Sequence, residues 1–143
     1  MPSILFFSEK TRFRLTNPKK TVSWIKAAIK KEGRTLKSLN YIFCSDEYLK
    51  GVNIQYLKHK TYTDIITFNY NSEDGVVEGE IYISIERVRD NAKTFKSDLR
   101  TELHRVIIHG VLHLIGFNDK TKREKALMRE KEDTYLSLLN NSK

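Results

Sequence analysis

A chain of 143 residues with 39% hydrophobic content is the size of one compact domain built on one core, and a second domain is not expected. Its 26 Lys and Arg against 18 Asp and Glu leave a net charge of +8, which suits a polyanionic partner such as nucleic acid. No apolar run nears the roughly 18 residues that cross a bilayer, and Met1-Pro2-Ser3 with only Ile4-Leu5-Phe6-Phe7 behind it lacks a signal peptide's charged start, so a cytoplasmic protein with no membrane partner is expected.

In chain order, Asn17-Pro18 reads as an N-cap followed by a proline at the first helical position. Val22, Ile25 and Ile29 continue an apolar stripe until Gly33 ends that helix. Residues 36 to 44 form the first expected strand. It ends in Tyr41-Ile42-Phe43-Cys44, so the single cysteine reads as an inert core thiol. Asp46 starts a short helix carrying Leu49, Val52 and Tyr56. Thr63 to Tyr70 reads as a strand, Asn71 to Gly75 as a turn, and Glu80 to Ile85 alternates with period two, which together predict a β-hairpin.

From Glu86 the pattern becomes helical, with Val88, Ala92 and Phe95 aligned, and Ser97 is the expected cap of a further helix reaching Gly116. That helix carries Leu99, Leu103, Val106, Ile107, Val111 and Leu114, a broad apolar face that places it at the centre of the domain. A last helix runs from about Lys122 to Leu139, charged over most of its surface. Strands in the first half and helices in the second give an α+β domain: a small mixed β-sheet packed with helices around this central helix.

The chemistry concentrates in that central helix. His109 and His113 are four residues apart, a rotation of about 40° and a rise of about 6 Å, so both imidazoles point to one side. Gly116 follows three residues later and Asp119 three after that. In this spacing a glycine ends the helix and lets the chain turn back to present a third ligand. Two histidines and one carboxylate make a suitable set for one Zn²⁺ per chain, and three protein ligands leave a fourth position for water. Asp119 also has a structural reading as a helix cap, but Thr121-Lys122-Arg123-Glu124 is a capping box that would start the last helix without it.

His104 lies about 140° around the helix from His109 and reads as structural or surface. Gly110 occupies the position where peptide-cleaving zinc enzymes carry their glutamate base, which argues against proteolysis. It would also let another segment or a substrate approach the helix. His59, in the polar run Leu57-Lys58-His59-Lys60, is a solvated loop residue or a phosphate ligand.

The segment His109-Gly110-Val111-Leu112-His113-Leu114-Ile115-Gly116-Phe117 resembles the metal motif of the YbeY family, bacterial metal-dependent endoribonucleases associated with ribosomal RNA maturation. Thr63-Asp64-Ile65-Ile66-Thr67-Phe68 is similar to that family's Thr-Asp strand, and Gly79-Glu80-Ile81-Tyr82-Ile83 to its Gly-Asp-Ile strand. The resemblance spans about residues 50 to 120. It implies an α+β fold, hydrolysis of RNA phosphodiester bonds, and ribosomal RNA, with ribosomal proteins, as partners.

Two departures stand out. The family's usual third histidine falls at Asp119, still a competent ligand, and an arginine of the family falls at Leu57, leaving Lys58 or His59 to meet RNA phosphate. Lysine lacks the bidentate fork of arginine. Two rival readings accompany the nuclease: a metalloprotease-like hydrolase, and a non-catalytic RNA- or ribosome-binding protein with structural zinc. A closed four-ligand site would favour the latter.

Overall fold

One four-stranded mixed sheet organises the chain, seen in a computed structural model that describes residues 2–57, 63–71 and 73–141. The strands β1 (Ser3–Glu9), β2 (Thr35–Cys44), β3 (Ile65–Asn69) and β4 (Val76–Ser84) lie in the order β1-β2-β4-β3. β1 and β4 both run parallel to β2, while β3 and β4 form the antiparallel hairpin expected from the sequence. The helices are α1 (Pro18–Lys31), α2 (Asp46–Val52), α3 (Ile85–Thr94), α4 (Leu99–Ile115) and α5 (Lys122–Asn141), with a π-helical turn over Asn53–Leu57 after α2. This is the α+β architecture anticipated above.

The main core joins Ile4 of β1, Leu39, Tyr41 and Phe43 of β2, and Ile81 and Ile83 of β4 to the apolar faces of α1, α4 and α5. α4 packs on β3, β4, α1, α3 and α5, so it is the central helix. Gly110 explains how close it lies. A Cβ there would meet Ile81 at 2.9 Å and Ile65 at 3.0 Å, so the glycine lets the helix settle onto the sheet. On the other sheet face, α2 covers Cys44 and Ile66 with Leu49 and Val52. Burial, helped by Asp46 and Glu9, pushes the Cys44 thiol up to about 12, in keeping with an inert core residue.

Four local readings need correction. β1 was not anticipated: Ile4 and Phe6 face the core, while Leu5 and Phe7, also apolar, stay exposed on the opposite face, which hides the alternation that marks a strand. Asn17 stands at the start of α1 but makes no side-chain cap. It is left-handed at φ 52°, and its carbonyl accepts from Lys20 N and Thr21 N. Asp98, not Ser97, caps α4, accepting from Thr101 N at 2.7 Å. A carboxylate is the stronger acceptor at the positive end of a helix, and that bond holds Asp98 below the usual carboxylate range. Phe95 and Tyr56, placed on apolar helix faces by their spacing, are exposed.

His104 proves to be structural. It is buried, its Nδ1–H donates to Arg100 O at 2.7 Å, and Nε2 accepts from the Thr21 hydroxyl at 2.9 Å, which ties α4 to α1. Burial lowers its pKa below the ordinary 6.5, with Arg100 and Lys20 adding to that, against the bond to Arg100 O. The unfolded chain therefore takes up this proton first. The stabilising contribution is complete above pH about 6.5 and is lost as pH falls through the folded value. Denaturant titrations from pH 8 to pH 5 should show wild type losing stability more steeply than His104→Gln, which cannot titrate. Parallel curves would remove His104 as the cause.

Candidate metal centre

Gly116 decides where Asp119 goes. It ends α4 at φ 122°, a conformation open to glycine, and Phe117 N then closes back on Leu112 O at 3.0 Å. The chain reverses over Phe117 and Asn118 and brings Asp119 back against the last two turns of the helix. The capping box forms as the sequence implied: Glu124 N donates to Thr121 Oγ1 at 3.1 Å and Thr121 N to Glu124 Oε1 at 2.9 Å. Asp119 is thereby spared from capping.

His109 Nε2 and His113 Nε2 each lie 3.4 Å from Asp119 Oδ2. A direct charge-assisted hydrogen bond would be shorter, about 2.7–2.9 Å. Tetrahedral donors about 2.0–2.1 Å from one zinc ion are spaced about 3.4 Å apart, so the separations fit a shared metal better than a direct pairing. Among the described residues, these three form the group of His, Cys, Asp and Glu whose ligand atoms converge within 4.8 Å of one another. The two rings meet nearly edge-on, with centroids 4.6 Å apart. All three side chains remain partly open to solvent, Asp119 most.

The helix after the turn supplies a residue that sequence reading missed. Glu132 of α5 is only 5% exposed, and its Oε2 accepts from His109 Nδ1 at 2.6 Å while Oε1 accepts from Arg105 at 2.9 Å. Arg105 also reaches Asp133 at 2.7 Å. With the Nδ1 proton held by Glu132, the Nε2 lone pair of His109 is aimed at Asp119 and the shared centre, the arrangement that orients metal-binding histidines. Burial pulls the His109 pKa down, but Glu132, Asp119 and Asp64 outweigh it and raise it overall. Metal and proton would compete at Nε2, so metal uptake weakens as pH falls.

Glu132 was legible in principle. It falls in step with the buried Met128, Tyr135, Leu136 and Leu139, and a carboxylate on such an apolar stripe calls for a buried partner. Asp64, inside the strand motif but not singled out from sequence, is the other addition. Burial raises its carboxyl pKa, His109 opposes that, and its carbonyl accepts from Ser84 N at 2.9 Å. Lys58 and His59, the residues expected to meet RNA phosphate, lie outside the described residues.

Fold and site together define a class: an α+β domain whose central helix and following turn gather two imidazoles and a carboxylate that could hold a metal ion. The chain belongs to the endoribonuclease YbeY family, whose model matches residues 6–140. An endoribonuclease YbeY of Amoebophilus asiaticus is 51% identical over 134 residues, 94% of this chain and 91% of that protein. The endoribonuclease YbeY of Cytophaga hutchinsonii is 50% identical over 136 residues, 95% of each. A solution structure of a Thermotoga maritima protein is similar with a TM-score of 0.67 and 30% identity, covering 96% of this chain and 89% of its own.

Proposed function

We propose that this chain is a zinc-dependent endoribonuclease of ribosomal RNA maturation, hydrolysing phosphodiester bonds of single-stranded segments in the cytoplasm. The observation that carries the reading is the pair of 3.4 Å separations that centre His109, His113 and Asp119 on one point, on a chain of the endoribonuclease YbeY family. A bound zinc ion there would supply Lewis acidity and lower the pKa of water toward neutrality. The protein's own part is to hold the geometry. Glu132 keeps the Nδ1 proton of His109, Arg105 neutralises Glu132, and Gly110 seats the helix on the sheet. Asp64 holds a proton more readily than an exposed carboxyl and sits in the electrostatic field of His109 and Glu132.

Two features weigh against the rivals. Position 110 faces Ile81 and Ile65 of the sheet, so no side chain placed there could serve as a protease's base in this fold. Three converging ligands among the described residues, partly exposed, suit an open catalytic site better than a closed structural one. No described helix is long and apolar enough to cross a membrane.

The test incubates zinc-loaded protein with ribosomal RNA precursors and with casein, comparing wild type with His109→Ala. RNA cutting confined to wild type, with casein intact, is the expected result. Casein cleavage, or RNA cleavage that survives His109→Ala, overturns the reading. A 2′,3′-cyclic phosphate at the new ends assigns the nucleophile to the ribose hydroxyl, and a 5′-phosphate with a free 3′-hydroxyl assigns it to water.

A further inference from the structure

A cavity of about 1170 Å³ lies far from the metal centre in the fold, between β1, the segment 10–17 and the start of α1. β1 is one edge of the sheet, whereas the metal helix α4 packs over β4 and over β3 at the other edge. The cavity has a two-part chemistry. Its floor is apolar and aromatic: Phe6 stacks on Phe43 with centroids 5.9 Å apart, Phe13 meets Phe43 edge-on at 5.1 Å, and Phe6 and Phe13 keep part of their surface exposed. Its rim carries Arg12, Arg14 and Lys19, and no acidic residue lines it.

The segment that forms the rim is built rather than loose. Ser8 Oγ donates to Phe13 O at 2.7 Å, and Phe13 N donates to Thr11 Oγ1 at 3.3 Å. Along it exposure alternates, with Phe13 and Leu15 packed against the core and Arg12 and Arg14 outward. Among the described residues no carboxylate pairs with Arg12, Arg14 or Lys19. The cations are therefore available to a ligand.

We infer that this cavity is a second RNA-binding site, which takes a single-stranded segment away from the scissile bond, its bases on the Phe6–Phe13 floor and its phosphates on Arg12, Arg14 and Lys19. Aromatic surface and phosphate-facing cations are the two elements of sequence-tolerant single-strand binding, and an acidic peptide would use only the second. The volume, close to the upper end of the roughly 300–1,000 Å³ of small-molecule sites, leaves room for a short stretch of single strand. The inference rests on the ribonuclease reading and adds to it an anchor that holds substrate independently of the metal.

The test measures anisotropy of a fluorescein-labelled oligouridylate with metal-stripped full-length protein over a salt series. Arg12→Gln/Arg14→Gln should weaken binding about tenfold and flatten the log–log salt slope by about 1.4, two contacts of about 0.7 each. The control Lys26→Gln/Lys30→Gln removes the same charge from exposed positions of α1 outside the cavity and should lose much less. Oligouridylate should outcompete its abasic ribose-phosphate counterpart, and 4-thiouridine crosslinks should map to residues 6 to 22.

Equal loss in both double variants, or oligoglutamate competing as well as RNA, overturns the site. Zinc-loaded Arg12→Gln/Arg14→Gln that still cuts RNA with unchanged affinity sinks this inference and leaves the nuclease reading standing. Tight, cavity-dependent binding without any cleavage does the reverse.

Discussion

His113→Ala should strip the purified protein of its metal and take RNA cleavage with it. His113 gives one of three donors converging on a single point, and losing a residue that merely orients such a donor already costs about 10–100-fold in metal affinity. Loss of the donor itself should exceed that range. The fold should survive, because the side chain is partly exposed and the helix is held by its apolar face. Elemental analysis is expected to fall from about one zinc per chain to a small fraction, with thermal unfolding of the metal-free proteins alike. Asp119→Ala should follow the same course, and Asp119→His, the residue usual at this place in the family, should keep the metal. Full zinc content in Asp119→Ala would take that carboxylate out of the site, and full content in His113→Ala would dismiss the site altogether.

Glu132→Gln should weaken metal binding by about 10–100-fold with little change in fold. The amide matches the carboxylate in size, but it has one acceptor oxygen where Glu132 uses two, one for Arg105 and one for His109 Nδ1. One of those donors must then face an NH₂ group. If His109 loses its acceptor, its ring is no longer held in the tautomer that aims Nε2 at the metal. Glu132→Ala should add a stability cost, because Arg105 is a largely buried cation. That cost should fall below the about 3–5 kcal/mol of a fully broken buried pair, since Asp133 still pairs with it. Competitive zinc titration with a chromophoric chelator separates the two roles. A residue that only bolts α4 to α5 would shift the unfolding midpoint and leave the zinc affinity of Glu132→Gln as in wild type.

What could be read from the chain was local. Four-residue spacing put His109 and His113 on one side of a helix, Gly116 marked the place where that helix ends, and Thr121 with Glu124 formed the capping box that leaves Asp119 free. Period-two alternation and a polar turn predicted the β3–β4 hairpin. Each of these depends on residues within about one or two turns of one another, where propensity and hydrogen-bond chemistry act without help from the rest of the fold.

The chain by itself determined the three candidate ligands and the hairpin beside them. Only the tertiary structure decided what orients and supports them. It places Glu132 23 residues downstream against His109, fits Gly110 to Ile81 and Ile65, and sets β1 parallel to β2 with Phe6 and Phe13 open to a basic-rimmed cavity. The physical reason is that a buried carboxylate, a close helix–sheet approach and a parallel strand pairing each take their meaning from a partner distant in sequence. No local pattern records which partner that will be.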